Sequence, residues 1–196
     1  MQDSGGLRAN TLPTMERERS ENSLKIEAER VIETLGLLDS LRPYGEARVV
    51  GSVALDMVVK RDIDIHVLTK TPKLIETAGH VHNLLLSKSG VSGVHVTDYS
   101  GRGGVKVGVE RYPGPSGDWS IDIWLTNHRE STGFDLVDRL AKALTPEQRA
   151  AILRIKRHYH KRGLLCDGIS ASIYDAVIKR GARTIGDFHR ILSQGL

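Results

Sequence analysis

Two segments of the sequence alternate polar and apolar residues with a period of two, and each carries aspartate on its polar side. They are residues 62–68 (DIDIHVL) and residues 119–125 (WSIDIWL). Successive side chains of a β-strand point to opposite faces of a sheet, so the isoleucines of each segment share one face and the aspartates share the other. The alternation therefore predicts a sheet with one apolar face and one face that carries carboxylates.

The rest of the sequence predicts helices packed against that sheet. Apolar residues recur at helical spacing in several segments, and further short strands are indicated between them. The predicted helices are residues 23–43, 72–87, 145–162, 172–180 and 184–193, and the further strands are residues 46–50, 94–99 and 105–111. Thr145, Pro146 and Gln148 form the pattern of a capping box. We predict an α+β fold, in which a small mixed, twisted β-sheet has flanking helices and a C-terminal helical annex.

Size, charge and cysteine content restrict the class of protein. A chain of 196 residues is long enough for one compact core. Its formal net charge of +4 suits a polyanionic ligand such as a nucleoside triphosphate or RNA, although an ordinary solvated surface explains the charge equally well. No apolar run approaches a bilayer span and no secretory signal is recognisable, so we expect no membrane association and a cytoplasmic location. Cys166 is the single cysteine, which excludes an intramolecular disulfide.

The aspartates of the two alternating segments are candidate metal ligands. Asp62 and Asp64 lie two residues apart on one strand face, where their carboxylates repel each other. A hard divalent cation relieves that repulsion, and Mg²⁺ typically takes one or two carboxylates together with substrate phosphates. If the two strands are neighbours, Asp122 reaches the same ions.

The dipeptide Gly51-Ser52 precedes the first aspartate strand and is a candidate phosphate-binding turn. Glycine permits close approach of the backbone, and serine at the start of a helical turn offers a hydroxyl and free amides to phosphate oxygens. Together with the aspartates it would form an anion site facing a pair of metal ions. Two ions can bind both the attacking and the leaving oxygens of an in-line displacement.

These residues resemble a known signature. In the run VVGSVALDMVVKRDIDIHV, nine residues separate Gly51-Ser52 from Asp62-Ile63-Asp64, which resembles the signature of the DNA polymerase beta-type nucleotidyltransferase superfamily. The later IDIW resembles the strand that carries the third carboxylate of that family. The resemblance covers about residues 46–125. It implies that Asp62, Asp64 and Asp122 bind two Mg²⁺ ions and are catalytic.

The resemblance also implies roles and a reaction. Asp122 would help to deprotonate the acceptor hydroxyl, and Gly51 and Ser52 would bind the triphosphate of a nucleoside triphosphate, the co-substrate. The implied enzyme is a metal-dependent nucleotidyltransferase that moves a nucleoside monophosphate to a hydroxyl or phosphate of a small molecule, a protein or RNA. The net positive charge argues against a polycationic aminoglycoside as the acceptor. The alternative is a non-catalytic nucleotide- or RNA-binding protein that keeps the fold, such as a regulatory partner.

The same interpretation divides the chain into three parts. Residues 1–20 are expected to be a flexible tail, residues 21–130 a nucleotidyltransferase domain and residues 131–196 a C-terminal helical region. The C-terminal helices are similar in kind to the helical substrate-binding annexes of small bacterial members of the superfamily. The sequence leaves the oligomeric state open.

Three further features of the sequence allow both a functional and a structural interpretation. Trp124 shares a strand face with Asp122, so it could stack on a substrate ring or pack within the protein. His66 shares the face of Asp62 and Asp64, where a histidine is more often a hydrogen-bonded neighbour than a Mg²⁺ ligand. Basic residues around the predicted helix 145–162 form a solvated face, or one of them reaches the β- or γ-phosphate. They are Arg154, Lys156, Arg157 and Lys161.

Overall fold

The structure is a computed structural model, and it describes residues 14–166 and 168–195. Residues 14–22 are described by their backbone alone. Helix α1 (Thr14–Thr34) begins inside the segment that was predicted as a flexible tail, and the division of the chain into a tail, a domain and a helical region stays a prediction. The first part of the predicted tail, residues 1–13, lies outside the described residues.

The first two thirds of the chain contain all the described strands together with four α-helices, and the described elements after them are helical. The other helices in the described part are α2 (Leu37–Leu41), α3 (Gly51–Ala54), α4 (Leu74–Leu86), α5 (Phe134–Ala143), α6 (Pro146–His160), α7 (Ile169–Ile178) and α8 (Ile185–Ser193). The strands are β1 (Gly45–Val50), β2 (Asp62–Thr69), β3 (Val94–Tyr99), β4 (Gly104–Tyr112) and β5 (Trp119–Thr126). The predicted strands are confirmed, whereas α5 was not predicted as a separate helix.

The strands form one mixed sheet in the order β1-β2-β5-β4-β3. Strand β2 runs parallel to β5, and the other neighbouring pairs are antiparallel. Parallel neighbours need a long connection, and here α4 and the β3–β4 hairpin lie between β2 and β5 in the chain. The predicted mixed sheet with flanking helices and a helical annex is confirmed.

Two apolar cores hold the elements together. The first lies between one face of the sheet and α1, α2 and α4, and it contains Ile63, Ile65, Ile121 and Ile123. The second lies among α3 and α5 to α8 and contains Phe134. Burial of apolar surface contributes about 25 cal/mol per Å², so both cores stabilise the fold. The polar face of the sheet meets the second core, and that junction positions the candidate site.

Local sequence signals set several helix boundaries. Gly36 adopts a positive φ of 56°, which ends α1 and divides the predicted helix 23–43 into α1 and α2. The capping box at α6 is confirmed, because the Thr145 hydroxyl accepts a hydrogen bond from the Gln148 amide at 3.2 Å and the Gln148 side chain accepts one from the Thr145 amide at 3.0 Å. No helix among the described residues has the length and apolar character to cross a bilayer.

Candidate active site

The register between β2 and β5 brings the three predicted carboxylates together. Asp64 lies directly opposite Asp122, and Asp62 lies opposite Ser120. Neighbouring strands are about 4.8 Å apart, and residues opposite each other point to the same face. The two strands that carry the aspartates are therefore neighbours, as the predicted site requires.

Asp64 is the most deeply buried of these acids. Burial, together with the negative charges of Asp62 and Asp122, raises its pKa from 3.8 to about 7. A carboxyl group in this position either takes up a proton or shares its charge with a cation. Perturbed carboxylates of this kind concentrate at functional sites.

Gly51 brings the backbone close to Asp64. It begins α3 directly after β1, with φ +63°, a conformation that disfavours other residues. A Cβ atom at this position would lie 2.5 Å from Oδ2 of Asp64, so a side chain here would have to displace the carboxylate. The chain thus needs glycine at residue 51 for both space and conformation, and Ser52 follows it in the same turn.

A cavity of about 200 Å³ lies between these residues and the C-terminal helices. Its walls include Gly51, Ser52, Asp62 and Asp64 on the sheet side, and Lys156 of α6 and Tyr174 of α7 on the helical side. The cavity therefore joins two of the three predicted metal ligands and the predicted phosphate-binding residues to side chains from the annex.

Lys156 is the basic residue of α6 that reaches this cavity. Its side chain is 3% exposed, and its Nζ donates a hydrogen bond to the Met57 carbonyl oxygen at 2.9 Å. Burial lowers its pKa from 10.5 to about 8, although the carboxylates of Asp64 and Asp62 oppose that shift. Of the four basic residues that the sequence left open, Lys156 is the buried one, whereas Arg154 and Lys161 are exposed.

Tyr174 adds a polar group that helical periodicity alone did not indicate. Its hydroxyl is buried and has no hydrogen-bond partner among the described residues. Burial raises its pKa to about 12, so the hydroxyl stays protonated and is available as a donor. Buried polar groups are nearly always paired, so this hydroxyl in a cavity wall indicates a position for a ligand atom.

Two lysines contact the outer carboxylates. Lys60 Nζ lies 3.0 Å from Oδ2 of Asp62, and Lys106 Nζ lies 3.1 Å from Oδ2 of Asp122. Sequence reasoning missed both lysines. The contact of Lys60 could have been predicted, since Lys60 stands two residues before Asp62. The contact of Lys106 with Asp122 depends on the pairing of β4 with β5.

Comparison with known proteins identifies the fold. No protein-family model matches the sequence, and no curated protein sequence matches it. The Cid1 poly(U) polymerase bound to MgATP matches with a TM-score of 0.61 and 16% identity, over 84% of this chain and 54% of that chain. The chain has the polymerase beta-like nucleotidyltransferase fold.

Other solved structures share this nucleotidyltransferase fold. The non-canonical poly(A) polymerase complex GLD-2–GLD-3 matches with a TM-score of 0.58 and 14% identity, over 89% of this chain and 61% of that chain. The polymerase core of TRAMP, an RNA surveillance complex, matches with a TM-score of 0.51 and 19% identity, over 85% of this chain and 50% of that chain. The chain thus spans between half and about three fifths of the length of these structures.

The carboxylate oxygens on the polar sheet face suit a hard divalent cation as ligands. Three carboxylates share one sheet face, and Asp64 carries the electrostatic strain that a cation would relieve. The part of the chain that the structure describes contains no three His, Cys, Asp or Glu side chains already arranged around one point.

His66 and Trp124 have structural contacts. His66 Nδ1 accepts a hydrogen bond from the Gly133 amide at 2.9 Å, and burial lowers its pKa to about 4, so the ring is neutral. The Trp124 ring lies over Gly104, where a Cβ would come within 2.4 Å of it, and its centroid is 5.8 Å from that of Tyr99. His66 is the hydrogen-bonded neighbour that the sequence favoured, and Trp124 packs against the sheet.

Proposed function

We propose that this protein is a metal-dependent nucleotidyltransferase that transfers a nucleoside monophosphate from a nucleoside triphosphate to an acceptor hydroxyl. The observation that carries the proposal is the register of β2 and β5, which sets Asp64 opposite Asp122 with Asp62 on the same face. Lys60 and Lys106 contact the two outer carboxylates, whereas Asp64 stays buried beside them with a raised pKa, and a divalent cation would relieve that repulsion. The fold supports the same conclusion.

In the proposed reaction the acceptor oxygen forms a bond to the α-phosphorus of the nucleotide. The bond from the α-phosphorus to the bridging oxygen of the β-phosphate breaks, and pyrophosphate leaves. Asp122 accepts the proton of the acceptor hydroxyl. Asp62, Asp64 and Asp122 would hold two Mg²⁺ ions, which when bound neutralise charge at the triphosphate and the attacking oxygen.

The cavity between the sheet and the annex is the proposed triphosphate site. Gly51 allows close approach of the backbone, and Ser52 offers a hydroxyl to a phosphate oxygen. The ammonium group of Lys156 is available to the β- or γ-phosphate, and the unpaired Tyr174 hydroxyl can donate a hydrogen bond to the nucleotide. These groups orient the triphosphate, which is the main contribution that a protein makes to phosphoryl chemistry.

Among small molecules, proteins and RNA, we favour an RNA 3′ end as the acceptor. The matched structures are named as poly(U) and poly(A) polymerases, and those enzymes extend RNA. The formal charge of +4 suits a polyanionic acceptor. The cytoplasmic location stays a prediction from the sequence.

The decisive test combines binding and turnover. Isothermal titration should give weak Mg²⁺ binding to the protein alone and tighter binding with a nucleoside triphosphate, because the triphosphate supplies further ligands. Each labelled triphosphate is then incubated with Mg²⁺ and a panel of acceptors, and pyrophosphate release is measured. Equal Mg²⁺ affinity with and without nucleotide would contradict the proposed site. RNA binding that is steeply salt-dependent, without turnover and unaffected by Asp64→Asn, would favour the non-catalytic alternative.

A further inference from the structure

A second cavity, which we call the acceptor groove, lies at the opposite side of the sheet from β1. Its volume is about 700 Å³, and its walls are the loop before β3, the end of β4 and the residue before β5. The polar side chains that line it include those of His95, Glu110, Arg111 and Asp118. None of them lines the proposed triphosphate cavity, so the two cavities are distinct.

A row of paired residues connects the acceptor groove to the candidate catalytic acids. His95 lies opposite Gly108, Gly108 opposite Asp122, and Asp122 opposite Asp64. A Cβ atom at Gly108 would lie 2.3 Å from the His95 ring and 3.1 Å from Oδ1 of Asp122. Because residue 108 has no side chain, the His95 ring, which lines the groove, lies over the strand beside the Asp122 carboxylate. Asp62 and Asp64 thus line the triphosphate cavity, and His95 connects the acceptor groove to Asp122.

The groove contains a residue whose backbone is strained. Strand β4 has a register shift between Val109 and Tyr112, and Arg111 within this bulge has φ +60°. That conformation is unfavourable for a residue with a Cβ atom, and such residues concentrate at functional sites. Bulges beside active sites redirect a side chain. Here the bulge places an arginine in the wall of the groove.

The contacts of Arg111 in the protein do not account for this strain. Its side chain is 83% exposed, and its Nε lies 3.4 Å from Oδ2 of Asp118, which is itself half exposed. An exposed ion pair of this kind contributes little to stability. The guanidinium group is therefore available to a ligand, and its planar set of donors suits a phosphate group.

Hydrogen bonds to Glu27 of α1 hold the β4–β5 loop, which forms part of the groove wall. The Glu27 carboxylate accepts hydrogen bonds from the Ser116 amide at 3.1 Å, the Ser116 hydroxyl at 2.5 Å and the Trp119 indole at 2.8 Å. Glu27 is buried, so these bonds also satisfy its charge. A wall fixed in this way loses little conformational entropy when a ligand binds.

We propose that the acceptor groove binds the 3′-terminal nucleotides of single-stranded RNA and presents the terminal hydroxyl to Asp122. Arg111 contacts a backbone phosphate. Glu110 and Asp118 accept hydrogen bonds from ribose 2′-hydroxyl groups, which distinguish RNA from DNA. Arg111 stands three residues beyond Gly108, about 10 Å along β4, so a phosphate near Arg111 and a hydroxyl near Asp122 belong to neighbouring positions of one strand.

The lining residues support a sugar–phosphate ligand over a base-stacking one. Among the described residues of the groove wall there is no Phe, Tyr or Trp, and Gly90, Ser92 and Gly93 leave the wall small and polar. The wall thus has no large aromatic platform for a base, and its polar groups suit the backbone phosphate and the ribose. The proposal rests on the proposed function, because it assigns the acceptor of the same reaction.

The test compares Arg111→Gly with Arg42→Ala. Both remove an exposed arginine that is paired with an aspartate, since the Arg42 side chain is 79% exposed and lies 3.2 Å from Asp39. Arg111→Gly suits the positive φ, so its melting temperature should not fall. We expect Arg111→Gly to weaken binding of a short RNA oligonucleotide at least about fivefold and to reduce the salt slope by about one. The KM for RNA should rise by a similar factor, whereas binding of Mg²⁺ and ATP stays unchanged.

Every outcome of the binding experiment decides the proposal. RNA affinity that is unaffected by Arg111→Gly, or reduced equally by Arg42→Ala, overturns it. A DNA oligonucleotide of the same sequence that binds as tightly as the RNA also overturns it. The proposal also fails if a free nucleoside monophosphate binds as tightly as the RNA and if that binding depends on Arg111. The groove would then bind a small acceptor.

Binding measurements distinguish a failure of the RNA-site proposal from a failure of the proposed function. Interdependent binding of Mg²⁺ and ATP with Arg111-independent RNA binding overturns the groove alone. Arg111-dependent RNA binding without binding of Mg²⁺ and ATP overturns the proposed function and leaves the groove as an RNA site.

Discussion

The two faces of strands β2 and β5 have opposite physical roles although they alternate residue by residue. On one face Ile63, Ile65, Ile121 and Ile123 are fully buried against α1 and α4. On the other face Asp62, Asp64 and Asp122 approach each other with like charges. Burial of the isoleucines stabilises the protein, whereas proximity of the acids destabilises it. One face therefore stabilises the fold, and the other is the face to which we assign the proposed chemistry.

The largest expected effect is on the acid face, in Asp122→Asn. The amide cannot take the acceptor proton and carries no charge for a cation, so turnover should fall by about 10²- to 10⁴-fold. Binding of Mg²⁺ and ATP should persist through Asp62 and Asp64. The melting temperature should change little, because loss of the repulsion and loss of the ion pair with Lys106 have opposite effects. Pyrophosphate release measures turnover, and a thermal melt measures the melting temperature. Asp98→Asn on β3 is the matched control, and full turnover in Asp122→Asn would remove this acid from the site.

The neighbouring residue on the same strand should behave in the opposite way. Ile121 is 0% exposed, so Ile121→Ala should destabilise the protein by about 2–5 kcal/mol. Turnover per folded molecule should stay close to that of the original protein. Ile75→Ala, at a position that is 54% exposed, is the control and should change stability by less than about 0.5 kcal/mol. Denaturant titration measures the free energy of unfolding, and equal losses in the two variants would contradict the assignment of the core face.

A smaller effect is the pH dependence of stability without metal. Asp64 has a native pKa of about 7 against 3.8 for the ordinary group. Its contribution to stability is therefore present below about pH 4 and is lost as the pH rises through about 7. His66 acts in the opposite sense, since its pKa falls from 6.5 to about 4 and its contribution is lost as the pH falls through that range.

The comparison of Asp64→Asn with the original protein isolates the acid. The variant should become progressively more stable relative to the original as the pH rises from about 4 to about 7, by a few kcal/mol at most. Mg²⁺ with ATP should reduce the difference, because a cation favours the charged carboxylate. Thermal melts across this range measure it. Parallel stability curves for the two proteins would show that Asp64 has no raised pKa.

The smallest effect concerns the edge of the acid face, where the annex contributes Lys156. Replacement by methionine keeps most of the volume and removes the ammonium group, so affinity for Mg²⁺ and ATP should fall about tenfold, or about 1.4 kcal/mol. Lys161→Met, at the exposed end of the same helix, should leave the affinity unchanged. Isothermal titration distinguishes them. Equal affinities in the two variants would mean that the buried lysine supports structure alone.

The sequence by itself determined the local features of this protein. The alternation in residues 62–68 and 119–125 assigned each aspartate and isoleucine to its face, because strand geometry has a period of two. Thr145 and Gln148 marked the start of α6, since a capping box is a local set of hydrogen bonds. The spacing of Gly51-Ser52 and the aspartates indicated the fold. Periodicity within a segment is enough for such features.

Only the tertiary structure decided how the segments meet. The parallel pairing of β2 with β5 set Asp64 opposite Asp122, and the pairing of β4 with β5 brought Lys106 to Asp122. Packing of α6 in the second core buried Lys156 alone among the four basic residues, and the bulge in β4 placed Arg111 in the groove. Register and helix docking depend on how two cores close around side chains that are distant in the chain. Local sequence patterns therefore contain no record of them.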